Sequence, residues 1–171
     1  VAAIAATPLS AQTISVGTAS GAAGGGTTPA QIPVTFTRNP AVPVADFTAR
    51  VTYNNTNFSA TAAAANGGAC SVNAGAGFVT VLPPPGGSDT PTNIYCNITF
   101  TITAGVAAGN YPLNVTTSFG GGGCFDTNAN PVACTLTPGQ ITVTGGGGAV
   151  GPSIAYNPAA GAASGTGGPV N

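Results

Sequence analysis

The feature that most constrains this chain is a two-residue alternation that starts at Asn93 and is still readable at Thr144. Ile94, Cys96, Ile98, Phe100 and Ile102 are interleaved with Tyr95, Asn97, Thr99, Thr101 and Thr103. Alternate residues of a strand point to opposite faces of its sheet. The pattern therefore predicts one apolar face and one hydroxyl-bearing face, with Tyr95 outward. After a Gly-containing turn, Tyr111, Leu113, Val115, Thr117 and Phe119 repeat the pattern, followed by Val132, Cys134 and Leu136, then Ile141 and Val143. Strands this close in sequence and half-apolar in pattern predict the back half of an antiparallel β-sandwich.

The front half reads the same way. Ile14, Val16 and Thr18 form a short strand, and Gly21 to Thr28 is a Gly-rich loop. Ile32, Val34 and Phe36 alternate with Pro33, Thr35 and Thr37. Proline has no N–H, so this strand lies at an edge or has nothing to donate to on that side. Phe47, Ala49, Val51 and Tyr53 follow, then Phe58 to Ala65, Ala69 to Val72 and Phe78 to Leu82; Pro83 to Pro91 is an extended loop. The inward phases hold Phe36, Phe47, Tyr53, Phe100, Tyr111 and Phe119 as core. The expected architecture is an all-β, Ig-like or jelly-roll-like sandwich of about nine strands over residues 12–144.

Two terminal segments flank it. Val1 to Ala11, VAAIAATPLSA, reads either as the remnant of a secretory signal or as an N-terminal arm. Gly145 to Gly148 is a hinge, because consecutive glycines hold a strand poorly. The tail beyond it, Ile154-Ala155-Tyr156-Asn157 onward, echoes the chain from Ile14 and ends on Pro169-Val170 as the earlier segment reaches Pro33-Val34. It reads as the opening strand of a further module or as a strand that adds to another subunit's sheet.

Composition narrows the function classes. Of 171 residues two are basic and three acidic, and His, Lys, Met and Trp are absent. A formal charge of −1 offers nucleic acid or an anionic membrane almost no field. No stretch is long enough for a transmembrane helix. A surface with so little charge suits a protein packed against copies of itself, or one coated with sugar. Without His or Lys no Ser or Thr has an activating base, and Asp46 with Asp126 is the one conceivable acid–base pair; an enzyme is not expected, nor a cofactor.

Four cysteines, Cys70, Cys96, Cys124 and Cys134, form no C-x-x-C pair. Two disulfides and an oxidising, extracellular or cell-surface location are the better reading than zinc. Of the three connectivities, the favoured one joins Cys124 to Cys134 and Cys70 to Cys96. Asp126, Asn128 and Asn130 resemble the start of a calcium loop, but Pro131 replaces the turn glycine and the bidentate glutamate is missing, so an Asx turn is the plainer reading. Asn54, Asn57, Asn97 and Asn114 begin N-x-S/T sequons and are candidate glycosylation sites. Tyr95 and Tyr156, off the core phases, are candidate contact residues.

AAGNYPLNVTTSF and FDTNANPVACTLTPGQITVTG resemble the closing strands of cohesin-like modules of secreted surface proteins, and QIPVTFTRNPAVPVADFTARVTYNNTNFSA resembles their opening strands. The resemblance covers roughly residues 12–144, by pattern more than by individual residues, and implies a jelly-roll-like sandwich, secreted and often in tandem. Well-known members bind dockerin modules; nothing in this sequence identifies a dockerin-binding face. Two functions follow from these readings. The first is a structural subunit of an extracellular filament or surface fibre, joined by strand addition through Ile154 to Asn157. The second is a cohesin-like module that binds a protein or glycan partner.

Overall fold

The computed structural model describes residues 12–23, 31–38, 46–85, 92–117, 123–126 and 128–145. The segment Val1 to Ala11, the residues Phe119 and Tyr156, and the tail strand Ile154, Ala155, Tyr156, Asn157 lie outside these.

The first half supplies β1 (Gln12–Val16), β2 (Thr18–Ala22), β3 (Ile32–Thr37), β4 (Asp46–Phe47), β5 (Ala49–Thr52), β6 (Phe58–Ala64), β7 (Ala69–Asn73) and β8 (Phe78–Leu82). The second half supplies β9 (Thr92–Ile102), β10 (Gly109–Thr117), β11 (Cys124–Phe125), β12 (Pro131–Val132), β13 (Cys134–Thr137) and β14 (Gly139–Thr144). Where about nine strands were expected, several are split: β1 and β2 form one run broken at Gly17, as β4 and β5 do at Thr48. A five-stranded sheet ordered β13-β1-β3-β9-β6 packs on a six-stranded sheet ordered β2-β14-β10-β5-β8-β7, and β12-β11-β4 forms a small third sheet. The chain is all-β, a two-layer sandwich.

The alternation explains the core. Ile14, Ile32, Val34, Phe36, Ile98, Phe100 and Ile102 from one sheet meet Ala49, Val51, Val79, Val81, Leu113, Ile141 and Val143 from the other, all buried. At about 25 cal/mol per Å² of apolar surface removed from water, this shared layer is what holds the two sheets together. Phe36, Phe47 and Tyr95 cluster at one end, with Phe36 and Phe47 stacked at 5.0 Å. Phe58, Phe100, Tyr53 and Tyr111 interlock edge-to-face towards the other. Within that second cluster the buried Tyr53 hydroxyl has no hydrogen-bond partner, and burial pushes its pKa up.

Two features depart from the sequence reading, and a third decides between its alternatives. Tyr95 is not outward but fully buried. Between Val34 and Thr35 the pairing of β3 with β9 shifts, from Val34 opposite Cys96 to Thr35 opposite Ile94, which leaves Tyr95 as the extra residue of a bulge. A bulge flips the phase of everything before it, so Tyr95 joins Cys96 in the core and Ile94 moves to a half-buried position. Second, Gly21 belongs to strand β2 rather than to a loop.

Third, β3 is an interior strand between β1 and β9, and of the two placements open to Pro33 it takes the one with nothing to donate to. Pro33 O accepts from Gly17 N at 2.9 Å, but Gly17 O is turned away and accepts from Gln140 N at 3.4 Å. The chain leaves one sheet for the other at this point, and a proline there costs no ladder bond. The crossing also demands glycine: a Cβ on Gly17 would lie 2.7 Å from Pro33 Cδ, and one on Gly139 would overlap Gly17 O. The two halves of the split first strand then pair in parallel with the last two strands, β1 with β13 and β2 with β14. Those two parallel pairs close an otherwise antiparallel sandwich.

Candidate binding face

The cysteines form two bonds. Cys70 on β7 is joined to Cys96 on β9, with Cα atoms 5.9 Å apart, so this disulfide staples one sheet to the other. Cys124 on β11 is joined to Cys134 on β13, with Cα atoms 6.1 Å apart, and closes the short loop that contains Asp126.

That loop is an Asx turn. Asp126 Oδ1 accepts from the backbone N–H groups of Asn128 and Asn130, both at 2.8 Å, while Oδ2 accepts from Asn130 Nδ2 at 3.1 Å. Those bonds, led by the Asn130 side chain, hold the carboxyl below its ordinary pKa. Both oxygens of the weak calcium candidate thus point at the turn itself, and the Asn130 amide is engaged as a donor. Among the described residues no cluster of His, Cys, Asp or Glu could hold a metal ion. Asp46 is exposed on the small sheet opposite Phe125, the residue before the half-buried Asp126, so the register pairs neither carboxylate with the other.

The sequon residues are scattered. Asn54 is exposed in the β5–β6 turn, where its Oδ1 accepts from Thr56 N at 2.9 Å, and Asn57 is half-buried three residues on. Asn97 is half-buried on the outer face of the five-stranded sheet, between Pro33 and Ala63. Asn114 is exposed on the outer face of the six-stranded sheet.

The outer face of the six-stranded sheet carries the most distinctive side chains. Its central strands place Thr116, Arg50, Thr80 and Ser71 in one row and Asn114, Thr52, Phe78 and Asn73 in the next. Diagonal neighbours on a sheet face are within reach of long side chains, and Arg50 Cζ sits 4.8 Å from the Phe78 ring centroid. Leu82, two places beyond Thr80 on the same side of β8, is 37 % exposed and is the one large apolar side chain open to solvent among the described residues. Part of the polar surface of this sheet is tied down, mostly on β10 and β14. Thr52 Oγ1 donates to Asn114 O, Gln140 Nε2 to Thr142 Oγ1, and Thr142 Oγ1 to Asn110 Oδ1, all at 3.0–3.3 Å.

Neither Phe78 nor Arg50 stands out in the sequence as a contact residue. Phe78-Val79-Thr80-Val81-Leu82 is apolar on both phases, so periodicity alone does not say which side is buried. Only the pairing of Val79 and Val81 into the core turns Phe78 and Leu82 outward. The signal that was available is a strand with more apolar residues than one face needs, beside one of two cations in the chain.

No family model matches the chain, and no curated protein matches its sequence. Solved structures do. The seventh type I cohesin of ScaB from Pseudobacteroides cellulosolvens superimposes with a TM-score of 0.62 at 17% identity, over 79% of this chain and 93% of the cohesin. The fold is cohesin-like. The cohesin of the OlpA–Doc918 cohesin–dockerin complex from Clostridium thermocellum gives 0.63 at 15% identity, over 79% of this chain and all of that one. A non-cellulosomal cohesin from the archaeon Archaeoglobus fulgidus gives 0.54 at 13% identity, over 79% and 92%. Among the described residues no helix is long and apolar enough to cross a membrane.

Proposed function

We propose that this chain is a secreted, cohesin-like module that binds a protein partner through the outer face of its six-stranded sheet. The observation that carries the reading is the Arg50–Phe78 stack on an otherwise uncharged sheet face that also exposes Leu82. Arginine and aromatic side chains are the residue types enriched at the centres of protein interfaces, and the contact between the two already restrains them before docking. The cohesin-like fold supports the reading, since solved neighbours of this fold are held in complexes with dockerins. The two disulfides support secretion.

The test is capture of partners from the secreted proteins of the source organism by the immobilised full chain, wild type against Arg50→Ala/Phe78→Ala. A discrete protein held by the wild type and lost by the double variant is the expected result. Equal retention by both, or retention of nothing but copies of the chain, contradicts the reading.

A second reading, the subunit of a filament or surface fibre, rests on a different observation. β2 is an edge strand, and the tail from Ile154 echoes the sequence of the β1–β2 run. A copy of that segment could pair beside β13 or β14 of a neighbour as β1 and β2 do within the chain. The neighbours in fold favour the first reading, and deleting residues 149–171 separates the two: fibres that form undiminished without the tail rule out assembly through it.

A further inference from the structure

The turn between β6 and β7 carries a reactive pair. Asn66-Gly67 is the one Asn-Gly step in the chain. Gly68 N donates to Ala65 O at 2.9 Å, and Asn66 and Gly67 both have positive φ, 48° and 75°. That is the mirror-image turn for which Asn-Gly is a preferred pair. The turn sits on the bulge of β9. Pairing of β6 with β9 ends at Ala64 opposite Cys96, and Tyr95 and Ile94 lie beyond it. The turn supplies donors for both of their carbonyls: Ala65 N bonds to Tyr95 O at 3.0 Å, and Asn66 Nδ2 to Ile94 O at 2.8 Å. Gly68 is pressed into the same place, since a Cβ there would lie 2.9 Å from both Tyr95 Cβ and Leu82 O. The Asn66 amide is therefore a latch that closes the turn over the irregular part of β9.

The same pair is open to chemistry. Asparagine is among the thermolabile residues, and both Asn66 and Gly67 are exposed to water. Gly67 N–H bonds to no described residue, so its nitrogen is not held as a donor. Glycine has no side chain to shield that nitrogen. Every other asparagine with a residue after it precedes one that carries a side chain.

We infer that Asn66 is a site of spontaneous deamidation in the folded chain, and that its product releases the turn from the β9 bulge. Gly67 N gives its proton to hydroxide and attacks Asn66 Cγ. The N–Cγ bond forms, the Cγ–Nδ2 bond breaks, and Nδ2 leaves as ammonia with a proton from water. A second water opens the cyclic imide. Opening at Cγ gives aspartate; opening at the backbone carbonyl carbon gives isoaspartate, with one more carbon in the main chain. Neither product keeps the Nδ2 donor. Aspartate sets an acceptor-only carboxylate against the Ile94 carbonyl, and isoaspartate also lengthens the turn. The bond to Ile94 restrains the amide until the turn opens locally, so that opening sets the rate. Latch and reacting group are the same amide, which makes the release one-way.

The inference is independent of the proposed protein-binding face. The test is incubation of the purified full chain in mildly alkaline and mildly acidic buffer, followed by peptide mass spectrometry, isoelectric focusing and thermal melting. The wild type should become heavier by one dalton at Asn66, faster in alkali, and gain one negative charge over its formal −1. The reacted fraction should melt roughly 2–6 °C lower, the shift expected for one lost hydrogen bond in a chain of this size. Asn66→Asp should show that lower melting temperature before any incubation. Asn66→Gly keeps the positive φ but has nothing to cyclise, so no mass gain should appear in the turn. Gly67→Ala, whose Cβ would lie 3.4 Å from Pro84 Cβ, keeps the latch and should react several-fold more slowly. No gain at Asn66 in the folded chain, whether or not the urea-unfolded chain reacts, would overturn the inference. So would a gain spread evenly over the other asparagines, or reacted protein and Asn66→Asp that both melt like wild type.

Discussion

The two outer faces of this sandwich are built by the same period-two rule and end up chemically opposite. On the six-stranded face Gln140, Thr142 and Asn110 bond to one another, and an arginine, an aromatic ring and a leucine share the surface with them. On the five-stranded face there is neither charge nor aromatic ring, and the threonine hydroxyls are left to solvent. The core between them is a continuous apolar layer that needs no help from either surface. The difference teaches that, in a chain with five charged residues in all, the position of a single cation says more about binding than net charge does.

The comparison can be broken most severely at Tyr95. As the extra residue of a bulge it is buried against Phe36 and Phe47, and Tyr95→Ala should cost about 3–5 kcal/mol in chemical denaturation. A cost within about 0.5 kcal/mol, the range for an exposed residue, would return it to the hydroxyl face. Next comes the staple between the faces. Cys70→Ala/Cys96→Ala opens a link spanning 26 residues and should lower stability by about 3.5 kcal/mol on the chain-entropy argument, shifting the denaturation midpoint with binding unaffected in the molecules that remain folded.

Arg50→Ala should leave stability within about 0.5 kcal/mol of wild type yet cost 1–2 kcal/mol or more of partner binding, read by calorimetry once the captured partner is in hand. A smaller effect of opposite sign is expected at Tyr53. Its buried hydroxyl lacks a partner, so Tyr53→Phe should leave stability unchanged or raise it by about 1 kcal/mol. Because burial raises the folded-state pKa of that tyrosine, the neutral form is the one the fold favours. Its contribution is complete below the ordinary tyrosine pKa and is lost as pH rises through the raised value.

The smallest effect lies in the Asp126 turn. The folded pKa of that carboxyl is lowered, so its contribution is present above the ordinary Asp pKa and disappears as pH falls through the lowered value. The amide shifts of Asn128 and Asn130 should titrate with that midpoint, and Asp126→Asn should abolish the titration while leaving the fold intact.

Much of this fold was legible in the residues themselves. The apolar phase of Ile98, Phe100 and Ile102, of Val51 and of Leu113 faces the core because burial decides the register of a half-exposed strand. Tyr95 was not legible, because a bulge inserts one residue without leaving a mark in the alternation, and the phase was carried across it from Cys96. Pro33 announced its missing N–H, but only the crossing at Gly17 shows why an interior strand tolerates it. For the outer faces the order is reversed. The hydroxyl phase of Thr99 and Thr101 was plain, whereas its alignment with Thr61 and Ser59 needed the pairing of β6 with β9. The Arg50–Phe78 stack joins residues on different strands and needed the register of β5 with β8.

The central claim is that a protein partner docks on the six-stranded face and not on the threonine face. A photo-crosslinking residue placed at Thr80, beside Arg50 and Phe78, and separately at Thr61, on the threonine face, tests it most directly in the full chain exposed to its native secreted proteins. The account predicts a discrete crosslinked protein from position 80, lost on Arg50→Ala, and none from position 61. The same protein crosslinked from position 61, with position 80 silent, would contradict it.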